Sequence, residues 1–200
     1  MRLSGFFLLL LPLLAFAADP IGIPATLASD LKQGGYVIFV RHPDASIGND
    51  SAGPGEWWKD CAKQRVLSEA GKQQARRIGA GLKRIGVPLV VISSEYCRAL
   101  QTVDLMGFRE VTVTPALNHL NAWPREEKME DGIREAMRGL LAAVPADGTN
   151  TVLVGHVQNY PAPPDDILTT MNMGDTAVFK PDGRGGFRLV ALVHPDDWKP

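Results

Sequence analysis

Four side chains in this 200-residue sequence have the types needed to handle a phosphoryl group: Arg41, His42, Arg98 and His156. A neutral imidazole is nucleophilic near neutral pH and can attack phosphorus. Two guanidiniums can clamp the phosphoryl oxygens and stabilise charge in the transition state. A second histidine can hydrogen-bond to the same oxygens. The arginines supply the positive charge, so the chemistry needs no metal and no cofactor is expected. Taken singly, each residue has a plainer reading. An Arg-His pair can simply end a strand, Arg98 can be a solvated helix residue, and His156 can belong to a turn. What favours the chemical reading is where all four fall relative to the predicted elements.

Residues 36–40 form a short β-branched and aromatic run, a buried strand that ends at Val40-Arg41-His42. Residues 67–85 read as a helix, with Ser68 able to cap it, Glu69 in the first turn, and Ala75, Ile78, Leu82 and Ile85 at helical spacing. A second apolar strand, 89–92, runs into Ser93-Ser94, and the helix 95–106 that follows carries Arg98. Residues 111–114 are a third strand and 125–141 a third helix. A fourth strand, 151–154, ends at Gly155-His156. Residues 48–59 and the segment with Pro161, Pro163 and Pro164 read as loops, and 177–180 with 187–193 flank a glycine-rich turn, a hairpin. Alternating strands and helices predict a three-layer α/β/α sandwich with a mostly parallel central sheet and a C-terminal antiparallel hairpin. Ligands bind such sheets outside the carboxyl ends of the strands. If the strands ending at His42, Ser94 and His156 are parallel neighbours, both arginines and both histidines converge on one rim.

A net charge of −1 gives no basic surplus to hold nucleic acid. The two cysteines lack neighbouring histidines, so no zinc site is expected. Residues 1–17 combine Arg2, an apolar run from Phe6 to Phe16 and the small-x-small sequence Ala15-Phe16-Ala17. This order predicts a secretory signal cleaved before Ala18, leaving 18–200 as a single domain in the periplasm or secreted. A membrane anchor is the competing reading. Pro12 interrupts the run, which falls short of the roughly 20 apolar residues a bilayer span needs. No membrane span is expected after cleavage. Outside the cytoplasm thiols tend to oxidise, so Cys61 and Cys97 are expected to pair, with two buried free thiols as the alternative.

In order and spacing, Val40-Arg41-His42, Leu67-Ser68-Glu69-Ala70-Gly71 with Gln74-Ala75, Ser93-Ser94-x-x-x-Arg98-Ala99-x-x-Thr102 and Val154-Gly155-His156 resemble the histidine phosphatase superfamily, also called phosphoglycerate mutase-like. The resemblance covers about residues 35–195. It implies that His42 is the phosphoacceptor and that Arg41, Arg98 and His156 complete the phosphate pocket. The signal segment, Asp60-Cys61 before Gln64-Arg65, and Tyr96-Cys97-Arg98 look like a periplasmic branch similar to the lipopolysaccharide core heptose phosphate phosphatase.

Two positions depart from the pattern. Pro43 stands where the family has glycine, and proline offers no backbone N–H to a phosphate. The family's proton-donating acid, expected after the third strand, is missing from Leu117-Asn118-His119-Leu120. Glu126, Glu127 and Asp175 remain as candidates for that role, and each reads first as a surface carboxylate. His119 reads first as a polar loop residue and secondly as a substitute for the acid. Arg65 and Trp57 are assigned to substrate binding. The plainer alternatives are pairing of Arg65 with Glu69 and plain packing of the Trp57 and Trp58 side chains. His194 is given no catalytic role. The expected function is an exported phosphomonoesterase acting on a small phosphoester. A phosphomutase and a non-catalytic phosphosugar-binding protein are the alternatives.

Overall fold

The structure, a computed structural model, describes residues 23–51, 56–119, 127–157 and 171–199. The expected signal segment, Glu126 and the proline-containing loop at 161–164 lie outside the described residues, as does the side chain of Glu127.

Among the described residues the chain runs α1 (Ala25–Gln33), β1 (Val37–Arg41), α2 (Glu69–Arg84), β2 (Leu89–Ser93), α3 (Cys97–Leu105), β3 (Thr112–Val113), α4 (Glu127–Ala142), β4 (Asn150–Gly155), β5 (Thr176–Pro181) and β6 (Phe187–Val193). The six strands form one sheet in the order β3-β2-β4-β1-β5-β6. β3, β2, β4 and β1 are mutually parallel, while β5 runs antiparallel to β1 and hairpins to β6.

Period-two alternation sorts the side chains of each strand onto two faces. Ile38, Val40, Val91, Val152, Val154 and Val178 pack with residues of α1, α2 and α3. Val37, Phe39, Leu153, Ala177 and Phe179 pack with Met137 and Leu141 of α4 on the other side. The three-layer sandwich expected from the sequence is the architecture found. α1 is an addition to it. A nine-residue helix is marginal on propensity alone, and it holds here because Leu27, Ala28 and Leu31 bury one stripe in the core. Asn150 closes its end, donating to Leu31 O at 2.9 Å and accepting from Tyr36 N at 3.0 Å.

Two contacts explain motif residues that have no chemistry of their own. Ser68 caps α2 by accepting from Gly71 N at 3.1 Å, and a Cβ on Gly71 would lie 2.1 Å from Asp44 O. Only glycine lets the first turn of α2 rest on the loop leaving His42. Gly79 meets Met106 in the same way, with a Cβ 2.3 Å from its carbonyl oxygen, which lets α2 sit close against the end of α3.

Cys61 and Cys97 are joined in a disulfide, their Cα atoms 5.5 Å apart across a separation of 36 residues. Closing a loop of that order contributes roughly 3–4 kcal/mol in the chain-entropy model. The bridge pins the 3-10 turn Cys61–Lys63 to the first residue of α3. Gln64 reinforces it: its Oε1 accepts from Cys97 N at 3.1 Å and its amide donates to Trp58 O.

Candidate active site

β2, β4 and β1 are neighbours, so their carboxyl ends bring Ser93-Ser94, Gly155-His156 and Arg41-His42 to one rim. α3 begins just beyond Ser94 and places Arg98 in its first turn, with the guanidinium fully buried.

The buried His42 ring has its two nitrogens held differently. Nδ1 lies 2.9 Å from Pro43 O. A carbonyl oxygen can only accept, so Nδ1 carries the proton and Nε2 keeps a bare lone pair. Nε2 accepts from Arg98 Nε at 3.2 Å. Burial holds the imidazole well below the ordinary value of about 6.5, and the Arg98, Arg41 and Arg65 charges push the same way against the opposing pull of the Pro43 carbonyl. The residue that removes a donor from the loop thus supplies the acceptor that sets the tautomer of His42.

Three groups orient Arg98. Nε meets His42, Nη1 donates to Asp50 Oδ1 at 3.0 Å, and the guanidinium carbon lies 4.4 Å from the centroid of the Tyr96 ring. Nη2 is buried with no hydrogen-bond partner among the described residues. Asp50 also accepts from Arg65 N at 3.0 Å and faces Arg65 Nε at 3.5 Å. Arg65 therefore pairs with Asp50 rather than with Glu69, which is bonded to Lys72 at 2.6 Å. Its side chain is 37 % exposed, which leaves it open to solvent at the edge of the cluster.

His156 is buried, its ring 4.9 Å from that of His42 and 4.7 Å from that of Tyr96. Its Nε2 lies 3.2 Å from Ser94 Oγ, and its Nδ1 has no partner among the described residues. Burial, followed by the charges of His42, Arg98, His119 and Arg41, holds it well below the usual imidazole value. Arg41 donates through Nη1 to Met171 O, and its backbone N–H donates to Asp175 O at 3.1 Å.

Three expectations change. Trp57 does not open onto the rim as a substrate platform. It is 8 % exposed and packs edge-on against Tyr96 and Trp58, at 5.8 and 6.2 Å, so it reaches the site only through the Tyr96 ring. Asp175 is not a surface carboxylate but 3 % exposed, with Oδ2 accepting from Asn172 N at 2.7 Å and Oδ1 without a partner among the described residues. The antiparallel entry of β5 beside β1 draws it inward. His119 is more than a loop residue: its ring stands 5.5 Å from His156, edge-on. His194, as expected, lies apart, capping the 3-10 turn Pro195–Asp197.

Sequence reasoning missed Asp50 and Asn118. Asp50 lies in a glycine- and proline-rich stretch with no periodicity to mark it, and Asn118 resembles any polar residue after a strand. Both act only through partners distant in sequence. Among the described residues no group of three or more His, Cys, Asp or Glu side chains could hold a metal ion, and no helix is long and apolar enough to cross a membrane. The arrangement joins a bare imidazole nitrogen to a fixed guanidinium, with an unpaired N–H beside it. That combination suits attack on phosphorus with charge stabilisation at its oxygens.

The sequence model of the histidine phosphatase superfamily (branch 1) matches residues 37–156, which include His42, Arg98 and His156. Solved structures share the fold at low identity. The protein histidine phosphatase SixA, in complex with tungstate, is 18 % identical with a TM-score of 0.54, over 82 % of this chain and 99 % of that one. The product of an open reading frame from Mycobacterium tuberculosis is 16 % identical, also at 0.54, over 80 % and 97 %. A protein named SixA from Agrobacterium tumefaciens is 22 % identical at 0.51, over 80 % and 98 %. No curated protein matches the chain.

Proposed function

This chain belongs to the histidine phosphatase superfamily, and from that premise we propose that it is an exported phosphomonoesterase working through a phosphohistidine at His42. Membership itself indicates phosphatase or mutase activity on small phosphorylated substrates. The phosphohistidine step is supported above all by the tautomer of His42, whose Nδ1 donates to Pro43 O and leaves Nε2 bare beside Arg98.

The steps follow from that geometry. His42 Nε2 forms a bond to phosphorus as the ester P–O bond breaks, and the departing oxygen takes up a proton from solvent. Water then attacks the phosphohistidine, releasing phosphate and restoring the imidazole. Arg41, Arg98 and His156 surround the oxygens in both transfers, and Arg65, tied to Asp50, meets a second anionic part of the substrate. Trp57 contributes to substrate binding only indirectly, by backing Tyr96. Neither step needs a metal or a cofactor, because fixed guanidinium charge stands where the phosphoryl charge develops.

The enzyme should hydrolyse p-nitrophenyl phosphate in the presence of a chelator. Because the folded site holds His42 neutral to well below pH 6.5, the acid limb of kcat/KM should also fall well below that pH. Hydrolysis that requires added divalent metal would overturn the metal-independent mechanism, and binding of phosphosugars without any turnover would remove the hydrolase reading. The second outcome would favour a non-catalytic binding protein.

Residues 1–17 act in this proposal as a cleaved signal, leaving 18–200 as one exported domain that works on a phosphosugar of the cell envelope. The disulfide between Cys61 and Cys97 suits an oxidising compartment. The mature protein should begin at or near Ala18 when sequenced from its native host, and a cytoplasmic protein retaining Met1 would contradict export.

A further inference from the structure

The tautomer of His156 is set by hydrogen bonds whose directions leave no choice. Asn118 is fully buried and fixed at both ends. Its Nδ2 donates to Glu95 Oε2 at 2.7 Å, and its Oδ1 accepts from Glu95 N at 2.9 Å. A carboxylate can only accept and a backbone N–H can only donate, so the amide cannot be turned round. Ser94 Oγ lies 3.0 Å from that same Oδ1, and two oxygens at this distance need a proton between them, so Ser94 donates to Asn118. Ser94 Oγ also accepts from Tyr96 N at 3.1 Å. Its single proton is spent, and His156 Nε2, at 3.2 Å, must be the donor to it.

His156 Nδ1 is therefore a bare lone pair, and it is the buried atom that lacks a partner. The two histidines hold opposite tautomers, with the proton on Nδ1 in His42 and on Nε2 in His156. A phosphate dianion presents only acceptors, so it cannot sit against a bare nitrogen. We infer that His156 takes up one proton at Nδ1 when a tetrahedral oxyanion dianion binds, so that Ser94 and Asn118 make binding proton-coupled. This rests on the reading of the rim as a phosphate site.

His156 is faced by Arg41 at the end of β1 and His42 just after it, by Tyr96 just before α3 and Arg98 within it, and by His119 from the segment after β3. These groups keep it neutral without an anion, and a bound dianion reverses the balance of charge. His42 is the poorer acceptor of the same proton. Its Nε2 already faces an N–H of Arg98, so protonation would set two donors against each other.

Tungstate is the suitable probe, because near neutral pH it remains a dianion with no proton of its own. Calorimetric titration in two buffers of different ionisation enthalpy should give uptake of about one proton per tungstate, with affinity falling about tenfold per pH unit across the range where only the complex is protonated. The sign follows from linkage: the complex holds more protons than its parts, so raising the pH opposes binding. His42→Ala should keep the uptake. Ser94→Ala frees the Nε2 proton to move to Nδ1, so uptake should fall towards zero and the pH dependence flatten while tungstate still binds. A merely structural role for Ser94 would change affinity and leave proton uptake intact. On labelled wild-type protein, the nitrogen resonances of His156 should report a doubly protonated ring in the complex.

Tungstate binding without proton uptake, in a protein that hydrolyses p-nitrophenyl phosphate, would overturn the inference and leave the phosphatase reading standing. Absence of both binding and hydrolysis would overturn the two together.

Discussion

His42→Ala is expected to lower kcat on p-nitrophenyl phosphate by on the order of 10⁴-fold or more while changing tungstate affinity by less than about tenfold. In the proposed mechanism the variant loses the group that forms the covalent bond, so what remains is the positioning and charge of the surrounding residues. It leaves Arg98 held by Asp50 and Tyr96, and it leaves His156 held by Ser94. The substituted ring is buried but sits at the strand end, outside the two apolar clusters, so the fold should survive. Wild-type protein quenched during turnover should carry acid-labile, base-stable phosphate, and the variant should carry none. Wild-type activity in His42→Ala would end the phosphohistidine mechanism.

Arg98→Ala is expected to damage binding and turnover together, lowering kcat/KM by about 10³-fold. This guanidinium meets His42 through Nε and the Asp50 carboxylate through Nη1, and its Nη2 has no partner among the described residues. An interaction used in both ground and transition states shows in KM as well as kcat, which separates this variant from His42→Ala. Arg98→Lys should rescue little, because one ammonium cannot reach His42, Asp50 and a phosphoryl oxygen in one plane. The alanine variant also leaves Asp50, 15 % exposed, with Arg65 as its remaining cation. A modest loss of stability from the weaker pairing of that carboxylate is expected, and it can be followed separately by thermal unfolding. Loss of kcat with unchanged KM would mean that Arg98 acts only after substrate is bound.

Much of the site is legible in the chain because it is local to strand ends. A buried parallel strand is a short apolar run, and the first polar residues after it must lie at the rim. Val40-Arg41-His42 and Val154-Gly155-His156 carry that information in consecutive residues, as Ile92-Ser93-Ser94 does with Arg98 one helical turn beyond. Helix α2 is equally plain, since cap, first-turn acid and apolar spacing agree over its whole length. The disulfide follows from having two cysteines and a signal-like leader.

The sequence by itself determined the fold class and the side chains that meet at the rim, because strand and helix periodicities and strand-end residues are short-range properties. The tertiary structure alone decided which atoms of those side chains are protonated and which are left bare. Asp50 meets Arg98 across 48 residues, Ser94 meets His156 across 62, and Asn118 reaches back 24 to Ser94. Asp175 was drawn inward by the pairing of β5 with β1, and Trp57 by the ring of Tyr96. Hydrogen-bond direction depends on partners brought together by packing, and packing distances are not written in any local pattern. The sequence could therefore place two histidines at one rim, while only the folded chain could give them opposite tautomers.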